Sequence, residues 1–104
     1  MFSNPEDTKL SVLASNTQKR SNSKQAAALR DTTGRTYVAI NIDTPSLKLS
    51  ALDAVFTVAM ASGITGIEAV VAVGQAPESV GALREFSPTA AVYFISESSS
   101  VSTL

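Results

Sequence analysis

The chain has no cysteine, histidine or tryptophan. Without cysteine there is no disulfide and no thiolate nucleophile, and without histidine there is no imidazole base. The usual nitrogen and sulfur ligands of a transition metal are therefore missing, and no metal or other cofactor is expected. No apolar run approaches the ~20 residues of a membrane helix, so no membrane partner is expected either. Residues 1–10 are polar and lack the apolar stretch of a signal peptide, which makes cytoplasmic synthesis the expectation. Charged residues make up only 16% of the chain, against about 25% in an average protein. Much of the surface is expected to be covered by another chain.

Other chemistries are excluded by what does not accompany the polar residues. No Gly-x-x-x-x-Gly-Lys-Ser/Thr phosphate loop occurs. The carboxylates Asp43 and Asp53 have no aromatic sugar platform beside them, which argues against a glycosidase. No catalytic residue is assigned, and the chain is not expected to be an enzyme.

At 104 residues the chain fits one domain over 1–104, near the size at which oligomerisation helps to complete a core. Its net charge of −1 hides an asymmetry. Residues 1–35 carry Lys9, Lys19, Arg20, Lys24, Arg30 and Arg35 against Glu6, Asp7 and Asp31. The remainder carries Lys48 and Arg84 against Asp43, Asp53, Glu68, Glu78, Glu85 and Glu97. A basic half can bind polyanions locally, although a solvated lead-in explains the same composition.

Residues 1–7 read as an irregular start, with Asn4-Pro5 as a turn signal. Antiparallel strands are expected over 8–61, the first a short one over Thr8–Ala14. The clearest unit is a hairpin, Lys24-Gln-Ala-Ala-Ala-Leu-Arg30 and Thr36–Thr44, joined by the turn Asp31-Thr-Thr-Gly34. Val38, Ile40 and Ile42 are expected to face a core. Lys24, Arg30, Tyr37 and Asn41 are expected to share the opposite, polar face. Leu52, Ala54, Phe56, Val58 and Met60 continue the alternation as a further strand. Thr65-Gly-Ile-Glu68 has capping-box spacing, and two helices are expected over 64–87. Pro88 stops the second, and 88–104 form a C-terminal extension. A competing reading makes Leu49–Ala61 a helix and Gly66–Val73 a strand, giving a small α/β layer fold.

Four segments resemble the coat proteins of single-stranded RNA bacteriophages, the levivirus family. They are Lys24–Arg30, Tyr37-Val-Ala-Ile-Asn-Ile-Asp-Thr-Pro45, Ala51-Leu-Asp-Ala-Val-Phe-Thr-Val58 and Ala82-Leu-Arg-Glu-Phe-Ser-Pro88. The resemblance implies an α+β fold, an antiparallel β-sheet followed by two C-terminal helices in an interlocked homodimer. It further implies a capsid protein of the virion, assembled in the host cytoplasm into an icosahedral shell around single-stranded genomic RNA. The implied RNA-binding residues are Lys24, Arg30, Arg35, Tyr37, Asn41, Asp43 and Asp53, cations meeting phosphates and Tyr37 stacking on a base. The chain departs from that family in lacking its N-terminal hairpin, in the short loop Thr44–Ser50, and in alanines at 26 and 28 where hydroxyl residues form adenine pockets. The alternative function is a small non-enzymatic α/β module for dimerisation or interaction.

Overall fold

The structure, a computed structural model, describes residues 2–104; Met1, at the head of the expected irregular start, lies outside them. Helix α1 (Pro5–Ser21) comes first, followed by β1 (Gln25–Asp31) and β2 (Thr36–Ile40). A small hairpin, β3 (Ile42–Asp43) and β4 (Lys48–Leu49), leads to α2 (Ala51–Ala61). Then come β5 (Ile67–Gly74), α3 (Gly81–Phe86), β6 (Ala91–Ile95) and β7 (Val101–Thr103). Five strands form one mixed sheet in the order β2-β1-β5-β6-β7, while β3 and β4 pair separately. β1 runs antiparallel to both neighbours, and β5 and β6 are parallel. A parallel pair needs a crossover, which α3 supplies.

The expected α+β order, strands over 8–61 and helices over 64–87, is overturned. Helices alternate with strands, as in the competing α/β reading. Asn4-Pro5 opens a helix instead of a turn: the Asn4 side chain accepts from the Glu6 N–H at 2.9 Å, and Pro5 occupies the first helical position. Asp7, Leu10, Ser11 and Ala14 are buried at helical spacing. Along α2 almost every residue is apolar, so alternation and helical periodicity fit equally well. Its start decides between them: Ser50 caps the helix by accepting from the Asp53 N–H at 3.1 Å. Ala51, Leu52, Val55 and Ala59 then form the buried stripe. Thr65–Glu68, expected to cap a helix, leads into β5.

Both faces of the sheet are covered. On one, α1 buries Ala26, Ala28, Ala69, Val71 and Val73 around Leu10 and Ala14. On the other, α2 and α3 bury Ala27, Leu29, Val70 and Ala72 around Leu52, Val55 and Leu83. The expected polar sheet face does not exist, and the hairpin register explains why. Arg30 pairs with Thr36 and Ala28 with Val38, so the turn has three residues, Thr32–Gly34. Gly34 takes φ 89°, the left-handed position that ends such a turn. A four-residue turn over 31–34 would set Arg30 against Arg35 and put Lys24 and Arg30 on the face of Tyr37. The observed turn puts Arg30 on the face of Val38 and Ile40, under α1, and leaves Lys24 exposed just before β1.

Arg30 is therefore buried, with a side chain only 6% exposed. Its Nη2 donates to Asp7 Oδ1 at 2.8 Å and its Nε to Glu68 Oε1 at 2.7 Å. Burial works to lower the guanidinium pKa, but the bonds to Asp7 and Glu68 outweigh it and raise the value. A β-bulge supplies the second carboxylate. Arg30 pairs with Ala69 and Asp31 with Ile67, leaving Glu68 as the extra residue, re-aimed toward Arg30. The ion pair thus ties the first turn of α1 to the two central strands. At the turn itself, Asp31 Oδ1 accepts from the Thr33 hydroxyl at 2.7 Å and from the N–H groups of Thr33 and Arg35, both at 2.9 Å. The Thr33 hydroxyl bond above all holds its carboxyl below the usual range against the opposing effect of desolvation.

Arg30→Met strands the buried Asp7 carboxylate and is expected to cost about 3–5 kcal/mol in urea unfolding. Asp7→Leu combined with Arg30→Met recovers most of that loss, because no buried charge remains unpaired. Asp31 contributes stability at pH values above its unfolded pKa of about 3.9, and loses it as pH falls through the lower folded value. Asp31→Asn should therefore flatten the acid limb of the stability profile below about pH 4.

Candidate functional site

At one end of the sheet an open cleft of about 470 Å³ lies between the β3–β4 hairpin, the start of α2 and the loop 75–79. β2 and β5 both run toward this end, on either side of β1. The crevice beyond the carboxyl ends of strands is where open α/β sheets hold ligands.

Gln25, the first residue of β1, braces the cleft. Its Oε1 accepts from the Ala51 N–H at 2.9 Å, and its Nε2 donates to the carbonyl of Gln75 at 3.1 Å. Its backbone N–H donates to Asn41 Oδ1 at 3.0 Å, fixing the orientation of the Asn41 amide. One side chain thereby joins the start of α2 to the loop after β5. Gly74 ends β5 at φ 95°, and a Cβ there would collide with the Lys24 carbonyl oxygen, so this end of the sheet closes only on glycine. On the opposite wall Lys48 Nζ lies 2.7 Å from Asp43 Oδ1. The hydrogen bond from Lys48, then its charge and that of Lys24, hold the Asp43 carboxyl below the usual range.

The seven residues expected to contact RNA do not form one surface. Lys24, Asn41, Asp43 and Asp53 line the cleft. Tyr37 lies on the other side of β2 from α1 and packs against the α2 cluster. Arg35 is exposed beside the hairpin turn, its N–H donating to Asp31. Arg30, buried between Asp7 and Glu68, presents no free surface to a phosphate. Sequence reading passed over Gln25, Ser50, Gln75, Glu78 and Ser79 of the cleft lining. The spacing Ser50-Ala-Leu-Asp53 was the available signal, since a hydroxyl three residues before a carboxylate marks a helix start.

A family model described as cytidine deaminase-like matches residues 3–99. The chain belongs to that family. No curated protein matches it. The match overturns the resemblance to bacteriophage coat proteins, and with it the capsid role and the virion location. The resemblance rested on short apolar segments whose order an α/β chain can share. A small α/β domain of cytidine deaminase-like type is what the sequence encodes.

Zinc deaminases hold their metal with one histidine and two cysteines, or with three cysteines, in H-x-E and P-C-x-x-C motifs, and use the glutamate as acid and base. The residues here do not fit that metal. The chain has neither ligand type. At the turn from β5 to α3 the second motif's spacing reads Pro77-Glu78-Ser79-Val80-Gly81, with Glu78 and Gly81 in the two cysteine places. Among the described residues no three acidic side chains converge as a metal site.

Zinc is expected to leave the melting temperature unchanged. A site holding zinc at 100 times its Kd would add about 2.7 kcal/mol, several degrees for a domain of this size. A rise of that size in a thermal melt with added zinc, reversed by chelator, would contradict this reading.

Proposed function

We propose that the chain is a non-enzymatic binding module, a cytidine deaminase-like scaffold whose cleft holds a neutral, nucleoside-sized polar molecule without deaminating it. Hydrolytic deamination needs a water activated by zinc and a carboxylate to move its proton. The composition of the chain supplies no ligand set for the metal. Asp43, kept ionised by Lys48, is a weak base. What remains is a polar cleft of suitable size, since small-molecule sites span about 300–1,000 Å³.

The lining favours a neutral ligand over a phosphorylated one. Two of the N–H groups that an anion would need at the start of α2 are already used: Ala51 donates to Gln25 and Asp53 to the Ser50 hydroxyl. Asp43, Asp53 and Glu78 outnumber Lys24 and Lys48 on the walls, and Lys48 is engaged by Asp43. The Asn41 amide, oriented by Gln25, offers its Nδ2 as a donor. The braced, polar, metal-incompatible cleft is the observation that carries the proposal.

With cytidine, the protein is expected to release no ammonia above background, with or without zinc. In ¹H–¹⁵N spectra cytidine should shift the amides of Asn41, Asp53 and Glu78. Asp53→Ala should weaken that binding about 5- to 10-fold, the loss of one hydrogen bond, with the rest of the spectrum preserved. Ammonia release proportional to protein, or shifts confined to other surfaces, would overturn the proposal.

A further inference from the structure

One edge of the sheet is left open in a form that proteins usually avoid. Among the described residues β2 has β1 on one side and no strand on the other. Exposed edges are normally blunted by charge, proline, a bulge or shortness. β2 runs through five residues, Thr36-Tyr-Val-Ala-Ile40, with no charge, proline or glycine, and its register to β1 is unbroken. The other edge, β7, has only three residues, all exposed.

The hydrogen-bond phase of β2 is determined at both ends. Asp31 N–H donates to the Arg35 carbonyl, and Asn41 N–H to the Gln25 carbonyl. The odd-numbered residues of β2 therefore bond to β1, and by alternation Thr36, Val38 and Ile40 aim their N–H and C=O groups outward. Among the described residues no backbone bond beyond the ladder to β1 uses these three. Both faces beside the edge are roofed with half-exposed apolar groups. Leu13 of α1 packs on the side of Val38 and Ile40. On α2, Val58 is exposed and lies about 200° around the helix from Phe56. Phe56 points toward α3, where its ring meets Phe86 at 5.8 Å, so Val58 flanks the β2 side.

We propose that β2 pairs antiparallel with β2 of a second copy, about a two-fold axis at Val38, so that two sheets become one. This register sets Val38 against Val38 of the partner subunit and Thr36 against Ile40 of the partner subunit. Every outward N–H then meets an outward C=O. Tyr37 falls opposite Ala39 of the partner subunit at the closely spaced, non-hydrogen-bonded positions, where a large side chain needs a small neighbour. With no charge in the strand, self-pairing brings no like charges together. The same phase, size match and neutrality make the edge complementary to itself, and an isologous contact requires just that.

Light scattering of the full chain between about 1 and 200 µM should show a concentration-dependent shift from 10.8 kDa to twice that mass. In the dimer the amides of Thr36, Val38 and Ile40 should resist hydrogen exchange and lose that protection on dilution. Those of Tyr37 and Ala39, bonded to β1, should stay protected throughout. Val38→Pro removes an outward N–H and no bond to β1, and should return the mass to that of one chain. If circular dichroism shows that this variant is unfolded, Thr36→Pro, altered at an exposed outward position, makes the same test. A monomer at the highest concentration would overturn the proposal. So would a folded proline variant that stays dimeric, or a dimer whose three outward amides exchange freely.

Discussion

β1 is buried on both faces, and the rest of the molecule is arranged to cover it. Its neighbours β2 and β5 satisfy its backbone, α1 closes one face, and α2 with α3 closes the other. Three alanines at its centre let the helices approach closely on both sides. The cost of that position falls on Arg30, which must be buried with the strand. Asp7 from α1 and the bulged Glu68 of β5 neutralise it. A buried pair of this kind is weak as a source of net stability and strong as a specifier, because any other docking of α1 leaves a charge unmatched.

How far the sequence disclosed this fold differs from element to element. The β1–β2 hairpin was readable from alternation and its glycine turn. The helical reading of Leu49–Ala61 and the strand at Gly66–Val73 were present only as the competing alternative. α2 was ambiguous because it has almost no polar face, and period 2 and period 3.6 cannot be separated without one. α1 was misread although Asp7, Leu10, Ser11 and Ala14 follow helical spacing, because two of those four buried residues are polar. The faces of the hairpin depended on a single turn residue that composition does not reveal. Four of the seven candidate site residues do meet in one cleft, but they were grouped with three others by a sheet face that the register dissolves.

The walls of the cleft are held by the protein's own polar side chains. Gln25, Ser50 and Asn41 hold the walls through bonds that involve no metal. A cytidine deaminase-like fold does not itself imply deamination, since activity resides in particular side chains placed on the fold. Here the chain has neither cysteine nor histidine, and the segment Pro77–Gly81 leading into α3 offers only a carboxylate at Glu78.

The three-residue turn after β1 carries a consequence for how this protein can vary. Surface loops generally tolerate inserted or deleted residues. This one, though exposed, does not have that freedom. One residue more or less would exchange the two sides of β2 relative to β1, sending Tyr37 toward α1 and Val38 toward α2. Chain length at Thr32–Gly34 is thus constrained as tightly as side-chain volume in the interior, and relatives of this domain should differ there in residue type far more readily than in residue number.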